Sequence, residues 1–140
     1  MGILSKVKEV IVGKPAESLK EFELELYRIK QKCKSKIVAL VGIGGRLKGL
    51  PLIYTSDDDK ILNLTSAKLY EILASVYDIT GGKKVKDVIL SCEDEIYILK
   101  PLMENIGIFA IIPDESEIPH IREWIDKKVP LLENIFEGKL

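Results

Sequence analysis

Apolar positions along the chain repeat with two different periods, and each change of period marks a new element. Residues 15–34 carry apolar side chains at spacings of three and four, which predicts an amphipathic helix. Two short apolar runs follow at 37–41 and 50–55, and the glycine-rich stretch between them predicts a β-hairpin. Pro51 has no N–H to donate, so we expect the second strand to begin there or to lie at a sheet edge.

A second helix is predicted after the hairpin. Residues 56–60 have the composition of a polar turn, and residues 64–79 then return to helical spacing. Thr65 or Ser66 is the expected N-cap, because a hydroxyl can accept a hydrogen bond from the first free backbone N–H groups. The apolar face of this helix consists of Leu69, Ile72, Leu73, Val76 and Ile79.

The remainder of the chain predicts three strands and a last helix. Apolar runs at 86–92, 95–102 and 106–112 are separated by short polar turns, which favours an antiparallel meander. Residues 117–136 show helical spacing again. Pro130 should kink or split this helix, since it removes one backbone hydrogen bond.

The element order α-β-β-α-β-β-β-α predicts a fold of the α/β type, in the α+β class: a five-stranded antiparallel sheet with helices packed on it. We expect one domain over residues 15–140, because nothing in the pattern marks a linker or a repeat. Residues 1–14 fit a short helix and a strand equally well, and they are treated as an extension of uncertain structure.

Composition and charge exclude several classes of protein. The 140 residues carry a formal net charge of -1, so the chain has no overall basic field for nucleic acid or an anionic membrane. No apolar run reaches the ~20 residues that a membrane-spanning helix needs, and the first residues lack the apolar stretch of a signal peptide. We therefore expect a cytoplasmic protein. The abundance of Ile, Lys and Glu with a single Gln is common in proteins from hot environments.

The two cysteines give no metal or disulfide motif. Cys33 and Cys92 are isolated from each other, and His120 has no cysteine near it in the sequence. Cys33 falls on the apolar stripe of the first helix and is expected to behave as a small hydrophobic residue. We predict no bound metal and no cofactor, and both cysteines are expected to be reduced thiols.

The glycine-rich turn is the first candidate for chemistry. Gly44 and Gly49 have the spacing of a phosphate-binding loop, but Leu50 and Pro51 stand where a lysine and a hydroxyl residue are required. The run of aspartates at 57–59 lacks the alternating ligands of a calcium loop, and one histidine without a nucleophile does not make a catalytic set. No catalytic residues are predicted, and the chain is not expected to be an enzyme.

Arg46 and Lys48 lie at the tip of the predicted hairpin, and they are candidates for contact with a partner. An arginine at such a tip could stabilise charge on a nucleotide bound by another protein. A turn arginine that only faces solvent is the alternative, and the sequence leaves both open.

Three local features resemble the Roadblock family of dynein light chains and small-GTPase regulators. They are GLPLI at 49–53, the amphipathic helix directly after it, and YILKPL at 97–102. The resemblance covers residues 16–135. It implies a sheet with one helix on one face and two on the other, and a homodimer in which two copies of the third strand join the sheets into one of ten strands. Lys48 departs from the family, which usually has an acidic or polar residue there.

The resemblance also implies which residues form the dimer interface. The strand contributes one group and the second helix another: Lys86, Val88, Ile89, Leu90 and Cys92 from the strand, with Leu69, Leu73, Val76 and Tyr77 from the helix. Val88 and Leu90 should share one face and Ile89 the other. Physical chemistry agrees, because an exposed apolar strand edge tends to aggregate unless a symmetric partner covers it.

The function that the resemblance implies is a homodimeric regulator or adaptor of a Ras-like small GTPase. Such a protein would activate hydrolysis or bind in a nucleotide-dependent way, without chemistry of its own. One alternative is a structural scaffold in a motor or membrane-associated complex, whose partner binding would ignore the nucleotide. Another is a small-ligand-sensing module, which would need an apolar pocket with a few polar groups.

Overall fold

The structure, a computed structural model, describes residues 16–136 of the chain and the side chains of residues 20–133. The prediction for residues 1–14 falls outside these residues. The elements are α1 (Ala16–Lys32), β1 (Ile37–Gly42), β2 (Pro51–Ser56), α2 (Asp59–Ile79), β3 (Val88–Ser91), β4 (Ile96–Met103), β5 (Ile106–Ile112) and α3 (Ile118–Phe136). Short 3-10 turns at Gly45–Leu47 and Glu115–Glu117 complete the described part.

The five strands form one antiparallel sheet in the order β2-β1-β5-β4-β3. The predicted α+β architecture and the meander of the last three strands are confirmed. All residues of β1 and β5 are buried, because helices cover both faces of the sheet at its centre. The edges are β2 and β3, so Pro51 both begins its strand and lies at an edge, as its missing N–H requires.

The helices divide into two layers. The helices α1 and α3 pack on one face of the sheet, where Phe22 and Ile121 meet inward-facing residues such as Ile108. The helix α2 packs alone on the other face, where Leu62 meets Phe109. The predicted arrangement of one helix against two is confirmed, and Phe22, Leu26, Ile29 and Cys33 of the α1 stripe are all buried.

The start of α2 was predicted five residues too late. The helix begins at Asp59, and the side chain of Asp58 accepts hydrogen bonds from the backbone N–H groups of Lys60 and Ile61, each at 3.1 Å. Thr65 and Ser66 therefore lie inside the helix. The physical reason is that aspartate favours both turns and N-caps, so the same three aspartates fit the end of a turn and the start of a helix.

The last helix is continuous through Pro130, so the predicted split does not occur. Pro130 itself is exposed, while Leu132 beyond it is buried in the α1–α3 layer. A proline removes only one donor, and the packing of Leu132 holds the following turn in place.

Glu95, just before β4, contacts Tyr97 of β4 and Lys36 just before β1, and these contacts make stability depend on pH. Its carboxylate accepts hydrogen bonds from the Tyr97 hydroxyl at 2.7 Å and from Lys36 Nζ at 3.1 Å. These two contacts hold the pKa of Glu95 below its ordinary value of 4.5. A depressed carboxyl pKa stabilises the fold above the unfolded-state pKa, and that contribution is lost as the pH falls through the folded-state pKa.

We therefore expect Glu95→Gln to lower the free energy of unfolding at pH 7 by about 1 kcal/mol. The difference from the parent protein should shrink as the pH falls from about 4.5 through the lower folded-state pKa of Glu95, because the parent carboxyl becomes protonated over that range. Urea unfolding at several pH values measures this. Glu93→Gln is the matched control, since Glu93 is exposed in the same turn, and an equal effect of both changes would contradict the assignment.

Candidate functional site

The strand β3 is an open edge of the sheet, since no strand among residues 16–136 pairs with its outer side. Ile89 packs toward the α1–α3 layer, whereas Val88 packs toward α2 and Leu90 borders a cleft beside α2. The side chain of Leu90 is 47% exposed. An unpaired strand edge with an exposed leucine is a template for pairing with another chain.

The strand is shorter than predicted, because β3 covers only four residues. Lys86 lies before it and is exposed, with its carbonyl accepting a hydrogen bond from Lys100 Nζ at 3.4 Å. Cys92 follows it, and its backbone N–H donates to the Glu95 carbonyl at 2.9 Å, which closes the turn into β4. Both residues therefore flank the open edge instead of forming part of it.

The outer surface of α2 lies beside this edge. Leu69 is buried in the protomer's own core, so it has little surface left for a partner. Leu73 and Val76 are half-buried, and Tyr77 is 56% exposed. Ile79, at the end of the predicted apolar face, is 83% exposed. The C-terminal half of α2 thus presents apolar side chains that the protomer leaves uncovered.

Two concave features join the helix to the strands. A small apolar cleft of about 40 Å³ lies between α2 and the sheet, with Ile72 on one side and Leu90 on the other. An open groove of about 550 Å³ runs from Leu73 and Tyr77 to Met103 of β4, bordered by Lys83 and Lys84. We call β3, the C-terminal half of α2 and this groove the β3–α2 surface.

The hairpin tip is a separate feature. Arg46 is exposed in the 3-10 turn and forms no ion pair with any described residue. The ammonium of Lys48 lies 4.7 Å from the ring centre of Tyr70 on α2, a cation–π contact that ties the tip to the helix. Both predicted contact residues are exposed, and Arg46 is the one without an ion pair or cation–π contact among the described residues.

A third feature brings together residues that the sequence keeps apart. Cys33 lies just after α1, Glu117 just before α3, and His120 in the first turn of α3. One ligand-type atom from each residue, Sγ, a carboxylate oxygen and an imidazole nitrogen, lies within 4.8 Å of the others. The Nδ1 atom of His120 is 3.6 Å from Oε2 of Glu117.

The electrostatics of this cluster centre on the thiol. Burial raises the pKa of Cys33 to about 11, and the neighbouring Glu117 carboxylate adds to the increase. The thiol is therefore neutral at pH 7. The Oε2 atom of Glu117 is itself buried and has no hydrogen-bond partner among the described residues.

The sequence alone does not reveal this cluster, because Cys33 and His120 stand near opposite ends of the domain. The packing of α1 beside α3 brings them together. The one local signal was the spacing of Glu117 and His120, which places two ligand-type side chains on one side of a helix start.

The element order, the two helical layers and the open β3 edge define a known architecture, the Roadblock/LC7 fold. Solved structures with this architecture superpose on nearly the whole chain. MglB of Myxococcus xanthus matches with a TM-score of 0.72 at 14% identity, over 92% of this chain and 97% of that one. A gliding protein, MglB of Thermus thermophilus, matches at 0.70 and 13%, over 89% and 93%.

A Roadblock/LC7 domain from Streptomyces avermitilis also matches, with a TM-score of 0.62 at 12% identity, over 79% of this chain and 96% of that one. The resemblance to Roadblock proteins is thereby confirmed at the level of the fold. No protein-family model matches the sequence, and no curated protein matches it either. Within the described residues, no helix combines the length and apolar character needed to cross a bilayer.

Proposed function

We propose that the chain is a homodimeric regulator or adaptor of a Ras-like small GTPase and that it is not itself an enzyme. The observation that carries the proposal is the β3–α2 surface: an open strand edge beside uncovered apolar side chains on α2. The Roadblock/LC7 fold supports the same role, because the resemblance to the Roadblock family implies small-GTPase regulation. One MglB structure has a tetrameric arrangement, which is consistent with self-association through surfaces of this fold.

The dimer would form by antiparallel pairing of two β3 strands about a two-fold axis. Val88 and Leu90 of both copies would then meet on the α2 side of the joined sheet. The two α2 helices would cover each other there through Leu73, Val76 and Tyr77. Such pairing satisfies the free backbone groups of β3 and buries the apolar surface in one step.

The GTPase would contact the hairpin tip through Arg46. This side chain is exposed, it is held on a short turn between two strands, and it forms no ion pair with the described residues. An arginine at the centre of an interface often contributes more than 1 kcal/mol to binding. The dimer would present two such tips.

The test is GTP turnover by a Ras-like GTPase of the same organism, with and without the protein, together with binding to the GDP and GTP-analogue forms. We expect turnover to rise, or binding to favour one nucleotide state. Arg46→Ala should weaken binding about tenfold, which corresponds to about 1.4 kcal/mol.

Arg28→Ala is the matched control for that variant. Arg28 is also exposed, but it pairs with Glu25 on the surface of α1, and its loss should leave GTPase binding unchanged. Equal binding to both nucleotide states with unchanged turnover would instead identify a scaffold. Absence of binding in either state would refute the proposed role.

A further inference from the structure

Three side chains meet where the end of α1 packs beside the start of α3: Cys33, Glu117 and His120. Sulfur, oxygen and nitrogen atoms from the three residues lie within 4.8 Å of one another. Each residue type is a common zinc ligand, with metal–ligand distances of about 2.0 to 2.3 Å. The cluster lies in the α1–α3 layer, opposite to the β3–α2 surface.

The geometry needs only a small adjustment to hold a metal. Ligand atoms around a tetrahedral zinc ion are separated by roughly 3.3 to 3.8 Å, as follows from the metal–ligand distances. The side chain of His120 is 49% exposed and can rotate inward, and its Nδ1 is already 3.6 Å from Glu117 Oε2. Glu117 and His120 follow the Glu-x-x-His spacing that places two metal ligands side by side at a helix surface.

The buried carboxylate oxygen is the second observation that points to a cation. Glu117 Oε2 is buried and makes no hydrogen bond of ordinary geometry with the described residues, although the Cys33 thiol faces this carboxylate and His120 Nδ1 lies 3.6 Å from the oxygen. These contacts compensate only in part for the hydration that the oxygen loses on burial. A divalent ion between the three ligands would compensate for it. It would also convert the Cys33 thiol into a thiolate ligand and release a proton to solvent.

We propose that Cys33, Glu117 and His120 bind a divalent transition metal of the zinc class, with water in the fourth position. A thiolate and an imidazole nitrogen are softer ligands than oxygen, and they favour zinc over magnesium or calcium. The bound metal would clamp α1 to α3 and stabilise the two-helix layer. This proposal is independent of GTPase binding.

Cobalt(II) is the probe, because it replaces zinc and is coloured. Titration of the metal-free full-length protein with Co²⁺ should give one equivalent of binding, a thiolate-to-cobalt band in the near ultraviolet and the intense visible bands of a tetrahedral site. Zn²⁺ should displace the cobalt and abolish these bands. Saturating zinc should raise the Tm by roughly 5 °C or more.

Three variants test the ligand set. Cys33→Ala should abolish the thiolate band. His120→Gln changes a half-exposed side chain and should preserve the fold, while it weakens the metal affinity by at least about a hundredfold. Cys92→Ser is the control, because Cys92 is exposed at the far end of β3 and its loss should leave the bands unchanged.

The proposal is overturned if the parent protein shows no thiolate band with Co²⁺, or if the band depends on Cys92 instead of Cys33. It is also overturned if His120→Gln folds normally by circular dichroism and binds Co²⁺ as tightly as the parent. In that case the thiol only faces a carboxylate in the packed interface.

Discussion

Leu90→Asp should halve the mass of the protein in solution, from about twice 15.7 kDa to the mass of one chain. Leu90 lies on the open β3 edge, and its side chain is 47% exposed in the protomer. In the proposed dimer two copies of Leu90 approach each other near the two-fold axis. Two carboxylates placed there would repel each other in an apolar interface and prevent pairing.

Light scattering on a sizing column measures the mass, and circular dichroism shows whether each variant is folded. Leu24→Asp is the matched control, because Leu24 is 48% exposed but lies on α1, in the opposite layer. It should leave the dimer intact. A parent protein that is a stable monomer, or a dimer that survives Leu90→Asp, would remove the basis for strand pairing.

Gly42→Ala should destabilise the fold by about 3 kcal/mol or more, through overpacking of the hairpin. A Cβ at this position would lie 1.8 Å from the carbonyl oxygen of Leu47, a backbone atom that cannot rotate away. The same turn is closed by hydrogen bonds from Gly42 N–H to Leu50 and from Gly49 N–H to Gly42, at 2.8 and 3.0 Å. The substitution would force the two strands apart at their closed end.

Denaturant unfolding measures the lost free energy of unfolding. Gly81→Ala is the comparison that distinguishes steric overlap from backbone strain. Gly81 has a φ of +71° but open space around its Cβ direction, so alanine there should cost only about 1 kcal/mol. If the two substitutions had equal effects, the close approach at Leu47 would not be what requires glycine at position 42. The hairpin tip that carries Arg46 depends on this close approach.

The periodicity of the sequence predicted most of the fold, because the positions that must be buried set the pattern of apolar residues. The stripe of α1 and the fully apolar strands β1 and β5 leave no alternative way to cover their side chains. The predicted start of α2 was wrong because Asp58 can end a turn or cap a helix. Only the hydrogen bonds that Asp58 accepts from Lys60 and Ile61 decide between these roles. Similarly, β3 ends one residue earlier than predicted because Cys92 belongs to the turn into β4.

The candidate sites were harder to predict, for a different reason. Periodicity assigns a residue to a face, but it does not show whether that face is covered. Leu69 and Ile79 occupy the same predicted face of α2, yet Leu69 is buried and Ile79 is 83% exposed. The Cys33 cluster depends on the packing of two helices that are distant in sequence, and no local pattern reports such a contact.

The two edges of the sheet differ in a way that limits growth. A protein whose sheet can pair with another chain at both edges can polymerise without end. A protein whose sheet can pair at only one edge forms dimers. The edge strand β2 begins at Pro51, which cannot donate a hydrogen bond, and its register is broken by an irregularity opposite Leu40 and Val41. In the proposed dimer only these β2 edges would remain at the ends, and assembly through the sheet would stop at two chains.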